Sequence, residues 1–447
     1  MAGQTAEVRE EGEVLERQFQ IGVAGFALVV GALAIAGTGS NNGRAKQSGD
    51  ASAESKLRLA SLSVAARRDV DYARLDERLK RLAEKPTVVG LAVGIVENGR
   101  ITFLRGYGET VEGSGDRVTP QTVFRWASVS KGVAGTMAAK LAEQGKLNLN
   151  APIAKYGTSL RLPGGAEQRA TLGDVLSHRL GIYRNAYDDK LEAGADPRAI
   201  RQSYATLASL CPPHSCWSYQ NIAYDASSEA IARAAGKPYS EVVREQLFAP
   251  IGMTSASMSR EALQRSKSWA RPHSVGRRPL EVSDSYYRVP AAGGVNSNIK
   301  DMALWMIAQM GEMPDVLSPG VLNTIHAPVV ATPGERGRLR KFVERVKAPY
   351  YGYGWRSYDY AGHHIIGHRG GVSGYRSLIL FDPKLKSGVV ALWNSNTSQP
   401  GGLEFEVMDM IYHLPFRDWL ELDRTSAPEP EAAATAMTAK ARDKQRA

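Results

Sequence analysis

Leu75, Leu79 and Leu82 recur at helical spacing and predict a helix over Tyr72–Leu82. A nearly unbroken apolar run, Val88–Val96, follows and reads as a strand. Asn98-Gly99 is a strong hairpin turn, and Ile101–Tyr107 returns as a second strand. Near the far end, Ser377–Phe381 and Gly388–Trp393 form another strand pair around Asp382-Pro383, before a closing helix over Leu403–His413. Helices and loops fill the middle, including a helical run at Ala226–Ala235. Strands at both ends with helices between predict an α+β fold. Its antiparallel sheet is completed by the two ends of the chain and flanked by helices, with a mostly helical region added.

The ends of the chain have a different character. Residues 1–20 form a polar segment in which Glu7, Glu10, Glu11, Glu13 and Glu16 outnumber Arg9 and Arg17. Residues 21–37 carry no charge. That length is at the low end of the about 17–25 residues a membrane helix needs. It equally fits a signal-peptide core, with Ala34-Ile35-Ala36 as a small-residue cleavage site, although the acidic flank argues against cleavage. A buried soluble helix is the third reading, disfavoured by so much Gly and Ala beside a polar linker. Signal and anchor both place the bulk of the chain in the periplasm or otherwise outside the cytoplasm. Membrane contact is then expected only through residues 21–37, and only if they are retained. Residues 38–70 read as a flexible linker, 71–420 as one globular domain, and 421–447 as a disordered tail rich in Ala, Pro, Glu and Lys.

The net charge is +10, but the basic residues are scattered and no nucleic-acid recognition motif accompanies them. Solubility explains the excess, and nucleic acid is not an expected partner. Cys211 and Cys216 are the two cysteines. They close a local disulfide in an oxidising compartment or stay as two thiols. Together with His214 they are too few for a structural zinc site, and no metal or cofactor is expected.

The chemistry begins at Ser128. From Ser128 to Gln144 the chain is helix-like and apolar nearly all round, the mark of a buried helix. Lys131 lies three residues on, on the same face and within reach of the serine oxygen. Burial disfavours an ammonium, so a lysine in that setting can take a serine proton. The helix N-terminus also offers positive potential to an oxyanion. The spacing alone is cheap. Ser297 and Lys300 repeat it, and a helix-capping serine beside a solvated lysine would produce it. Tyr219-Gln220-Asn221 adds a phenol that can relay a proton and an amide that can hold a substrate carbonyl. Tyr183-Arg184-Asn185 shows the same bare pattern. Gly367-His368-Arg369-Gly370-Gly371 leads into a strand along whose edge a substrate could lie.

In this order the three pieces resemble the motifs of the penicillin-recognising serine hydrolases: class C β-lactamases, DD-carboxypeptidases, D-aminopeptidases and related esterases. The likeness runs from about Asp71 to about Pro415. It includes framework segments such as Gly145-Lys146-Leu147-Asn148-Leu149, Thr171–His178, Pro250-Ile251-Gly252-Met253 and Tyr353-Gly354-Trp355. The resemblance implies a sheet domain and a helical region with the active site between them. It makes Ser128 the nucleophile that becomes acylated, Lys131 the base, and Tyr219 its partner in proton transfer. Asn221, His368, Gly370 and Gly371 would bind substrate, with the N–H groups of Ser128 and Gly371 forming the oxyanion hole. The implied substrate is a D-amino-acid peptide amide or small ester of the cell envelope, with peptidoglycan a candidate partner.

Class C β-lactamases carry Lys-Thr-Gly where this chain has His368-Arg369-Gly370. A histidine, mostly neutral at pH 7, suits a β-lactam carboxylate less well. A true β-lactamase is therefore the alternative, and a non-catalytic membrane-tethered penicillin-binding sensor a further one. A Ser-His-Asp esterase is disfavoured because no Gly-x-Ser-x-Gly elbow occurs.

Overall fold

The computed structural model describes residues 69–337 and 339–423. The expected signal or anchor at residues 21–37, most of the expected linker and most of the expected tail lie outside the described residues. Among the described residues no helix is long and apolar enough to cross a membrane.

Helix α1 (Tyr72–Ala83) starts at Asp71, whose carboxylate accepts from the Arg74 N–H, and it buries Leu75, Leu79 and Leu82. Strands β1 (Gly90–Glu97) and β2 (Arg100–Gly108) form the expected hairpin. Asn98 and Gly99 both take positive φ, 51° and 73°, as such a two-residue turn requires. A two-stranded ribbon, β3 (Phe124–Arg125) with β4 (Asn296–Ser297), stands apart. The remaining strands are β5 (Val330–Ala331), β6 (Val346–Tyr351), β7 (Arg356–Tyr360), β8 (His363–Val372), β9 (Tyr375–Asp382) and β10 (Ser387–Trp393). The main sheet is antiparallel throughout, in the order β2-β1-β10-β9-β8-β7-β6-β5. The N-terminal hairpin thus joins the sheet through β1 and β10, as the sequence pattern predicts.

Helices α2 (Ser130–Glu143), α3 (Ala226–Ala235), α4 (Ile299–Gln309) and α5 (Pro319–His326) belong to the middle of the chain, and α6 (Leu403–Ile411) closes it. Side chains of one strand alternate between two cores. Ile379 and Phe381 join Trp126, Met137 and Trp305 on one side, while Leu378 and Leu380 join Leu75, Leu403 and Met408 on the other. Helix α2 is buried on nearly every side. Its close packing depends on Gly135, where a Cβ would stand 2.0 Å from the Tyr353 carbonyl oxygen.

Two expectations are corrected. The glycine-rich segment at 367–371 lies inside β8 rather than before a strand. The stretch expected as one helix from Ser128 divides into a 3₁₀ turn, Ala127–Val129, and α2. β5 to β7 carry no regular alternation of apolar residues and escape a pattern-based reading.

α1 is tied to the end of the domain by Arg78, whose side chain is 5% exposed and meets Glu406 at 2.6 Å, Asp418 at 2.6 Å and Asp423 at 2.9 Å. Glu406 is wholly buried, and burial raises its pKa against the pull of Arg78. Arg78→Ala strands that carboxylate and should lower unfolding free energy by about 3–5 kcal/mol. Urea denaturation followed by circular dichroism measures the loss.

Candidate active site

Ser128 sits half-buried on the tight turn that opens α2. Ala127 before it adopts φ +48°, a left-handed conformation costly for a residue with a Cβ. Neighbours hold the turn in place. The Trp126 N–H donates to the Val295 carbonyl at 2.8 Å, and Ser377 Oγ donates to the Trp126 carbonyl at 2.5 Å. Gly370 on β8 packs against the same turn, where a Cβ would lie 2.3 Å from the Trp126 oxygen and 3.0 Å from the Ser128 nitrogen. Gly371 follows it, opposite Arg376 on β9. Ser297, the serine of the repeated spacing, accepts from Trp126 Nε1 at 2.9 Å and belongs to the framework.

Lys131 has no exposed surface. Its Nζ donates to Asn221 Oδ1 at 2.7 Å and to the Ala292 carbonyl at 3.0 Å, and lies 3.4 Å from Ser128 Oγ. It is also 4.7 Å from the centroid of the Tyr219 ring. Asn221 in turn donates through Nδ2 to Asp188 Oδ2 at 2.6 Å. Gln220, between Tyr219 and Asn221, is buried and bonds back to the Tyr183 carbonyl at 2.6 Å. The competing triplet Tyr183-Arg184-Asn185 is therefore part of the same wall, and the Asn185 N–H donates to the Tyr219 carbonyl at 2.8 Å.

His178 packs 4.4 Å from the Tyr219 ring and accepts through Nδ1 from the Gln220 N–H at 3.2 Å. His368 lies on the far wall, its ring 6.3 Å from that of Tyr219. Its Nδ1 contacts the Arg369 carbonyl at 2.7 Å and therefore carries the proton, so Nε2 accepts from the Tyr351 hydroxyl at 3.0 Å. Ser128, Arg184, Tyr219, Glu335, Arg356 and His368 line one cleft. The structure thus brings Ser128, Lys131, Tyr219, Asn221, His368, Gly370 and Gly371 into one region.

Residues 75–408 match the family model described as Beta-lactamase. The chain belongs to the beta-lactamase family. It is 27% identical over 364 residues to unguisins hydrolase ungD' of Aspergillus campestris, covering 77% of this chain and 64% of that one. It is 30% identical over 227 residues to D-alanyl-D-alanine-carboxypeptidase/endopeptidase AmpH of Escherichia coli K12, covering 48% and 56%. Penicillin-binding protein 4 of Amycolatopsis lactamdurans is 27% identical, with 73% and 85% covered. The first two alignments thus span less than two thirds of those relatives. Among solved structures, the octameric penicillin-binding protein homologue from Pyrococcus abyssi superposes with a TM-score of 0.68 at 21% identity, covering 77% and 78%, and it shares the fold.

His368, which the resemblance sets at the lysine position of the class C motif, is uncharged. Burial first, then the nearby Arg356 and Lys131 charges, hold its pKa well below the usual histidine value. Arg369 lines the same cleft and pairs with Glu404. A buried cation enters from the neighbouring strand as well. Arg356 on β7 pairs in register with Gly367, beside His368, and its charge is shared with Glu335 at 3.2 Å. Arg184 meets the same carboxylate at 3.2 Å. Sequence reasoning missed Arg356, Asp188 and the role of Gln220. Tyr353-Gly354-Trp355 immediately before Arg356 was the nearest signal, but nothing in the sequence aimed the guanidinium at the cleft.

Burial keeps His178, His326 and His368 neutral, with the His326 pKa lowered to about 3. Their imidazole NMR signals should titrate well below the about 6.5 of an unfolded-chain histidine. Because the unfolded chain binds the extra protons, these groups favour the folded state fully above about pH 6.5, and that contribution is lost as pH falls toward their lowered folded values. Gly370→Ala should displace the Ser128 turn and cost about 1–3 kcal/mol of stability, read by urea denaturation.

Proposed function

We propose that this beta-lactamase-family serine hydrolase forms an acyl-enzyme on Ser128 and cleaves peptide amides that end in a D-amino-acid carboxylate, outside the cytoplasm. One observation carries the reading: a fully buried lysine amine held 3.4 Å from a half-buried serine oxygen. A neutral amine has two N–H bonds and one lone pair. The Asn221 and Ala292 oxygens take the two N–H bonds, which leaves the lone pair for the Ser128 hydroxyl proton.

Ser128 Oγ then bonds to the substrate carbonyl carbon as its proton passes to Lys131. The carbonyl oxygen becomes an oxyanion, which the Ser128 and Gly371 N–H groups stabilise at the mouth of α2. Collapse of the adduct breaks the C–N bond, and the departing amine takes the proton by way of Tyr219. Water, deprotonated by the same pair, releases the acyl group.

The terminal carboxylate is inferred from Arg356. Its guanidinium and that of Arg184 share the single Glu335 carboxylate, so this part of the cleft carries a net positive charge. Such a fork suits a carboxylate better than the neutral His368 does. The name of the carboxypeptidase/endopeptidase relative supports peptide amides over esters. A disulfide joins Cys211 to Cys216 just before Trp217–Tyr219, which supports an oxidising location.

Incubating the protein with a penicillin and with a D-Ala-D-Ala peptide tests the reading. Intact-protein mass spectrometry should show a covalent adduct on the wild type and none on Ser128→Ala. Lys131→Ala should lower kcat on the peptide by about 10²–10⁴-fold. Arg356→Lys should lower kcat/KM at least about 10-fold for the free-carboxylate peptide and leave its C-terminal amide unaffected. An adduct that persists on Ser128→Ala would remove the nucleophile assignment.

A further inference from the structure

Asp188 takes no part in the scheme above, yet it is bonded to a member of it. Its Oδ2 accepts from Asn221 Nδ2 at 2.6 Å, while Asn221 Oδ1 accepts from Lys131 Nζ at 2.7 Å. An asparagine amide has nearly the same shape either way round, so only its partners choose its orientation. A carboxylate accepts and cannot donate, which compels the NH₂ end to face Asp188 and the oxygen to face Lys131. Turned over, Asn221 would set oxygen against oxygen at one end and N–H against amine at the other.

The loop that delivers Asp188 is fastened to the same segment. Besides the Asn185 to Tyr219 bond, the Ala186 N–H donates to Gln220 Oε1 at 3.3 Å, and Gln220 Nε2 donates to the Tyr183 carbonyl at 2.6 Å. Asn185 and Tyr187 both hold left-handed backbone, φ 51° and 58°, a strain that these bonds must outweigh. Glu192, Asp189, Lys131, Tyr183, Tyr204 and Tyr286 are the charged and titratable groups that face Asp188.

We propose that Asp188 is a positioning residue for the Ser128 reaction: it fixes the one orientation of Asn221 that accepts from Lys131, and so keeps the lysine amine aimed at Ser128 Oγ. The proposal rests on the Ser128–Lys131 reading of the preceding subsection. What Asp188 contributes is an acceptor. The pKa of Asp188 is pushed up to about 6 by burial, against the pull of Asn221 and Lys131. Only the carboxylate is purely an acceptor; the protonated acid and a side-chain amide still offer an acceptor oxygen but can also donate, and so fix Asn221 less firmly.

The test follows hydrolysis of p-nitrophenyl acetate by the wild type and by Ser128→Ala, Asp188→Ala, Asp188→Asn, Asn221→Ala and the Asp188→Ala/Asn221→Ala double variant. Asp188→Ala should lower kcat by about 10- to 100-fold, the scale of a misplaced catalytic group, with KM little changed. Asp188→Asn, which keeps an acceptor but can also donate, should recover part of the rate lost in Asp188→Ala. Adding Asp188→Ala to Asn221→Ala should cost nothing further, because the two act through one contact. Asp188→Leu, of similar size and without an acceptor, repeats the comparison if Asp188→Ala melts early.

A multiplicative loss in the double variant would overturn the proposal, as would Asp188→Asn falling as low as Asp188→Ala at equal melting temperature. If Ser128→Ala turns over the ester like the wild type, the underlying Ser128 reading fails and this proposal falls with it. Loss in Ser128→Ala with full activity in Asp188→Ala overturns the positioning role alone.

Discussion

A lysine amine with no exposed surface is the constraint around which this molecule is arranged. Removing an amine from water is costly unless its N–H groups find acceptors. Lys131 finds them on parts of the chain far apart in sequence, at Asn221 and Ala292, with Ser128 Oγ 3.4 Å away. Each of these groups has its own support. The Ser128 turn is pinned by β9 and by the segment around Val295. Asn221 is held between Lys131 and Asp188. Displacing any one of these leaves a buried donor without a partner, so the site and the packing of the helical region stand or fall together.

The sheet contributes shape more than side chains. β8 comes against the Ser128 turn because Gly370 has no Cβ. The same strand carries His368, which burial holds neutral. Arg356 on the adjacent strand and Arg184 on the loop bonded to Tyr219 bring guanidinium groups to the cleft, which Arg369, paired with Glu404, also lines.

Much of this was legible before any coordinates. Periodicity located α1, the β1–β2 hairpin, β9, β10 and α6 to within a few residues, because each has one or both faces in a large apolar core. The candidate site residues stood out because Ser-x-x-Lys, Tyr-x-Asn and His-x-Gly occur in order along a chain with matching framework segments. β5 to β7 were not legible. β5 is only two residues long and β6 and β7 are rich in Tyr, and their pairing depends on neighbours rather than on an apolar rhythm.

The sequence by itself determined which residue types could do acyl-transfer chemistry and the class of fold that would carry them. Helical spacing, strand alternation and motif order are local properties, written within a few residues of each other. Only the tertiary structure decided that Tyr183-Arg184-Asn185 is a wall fastened to Tyr219, that Asp188 is bonded to Asn221, and that Arg356 joins Arg369 in lining the cleft. Those outcomes depend on which strand lies beside which and on which side of the sheet a side chain emerges. A one-residue change of register would reverse them without altering any local pattern.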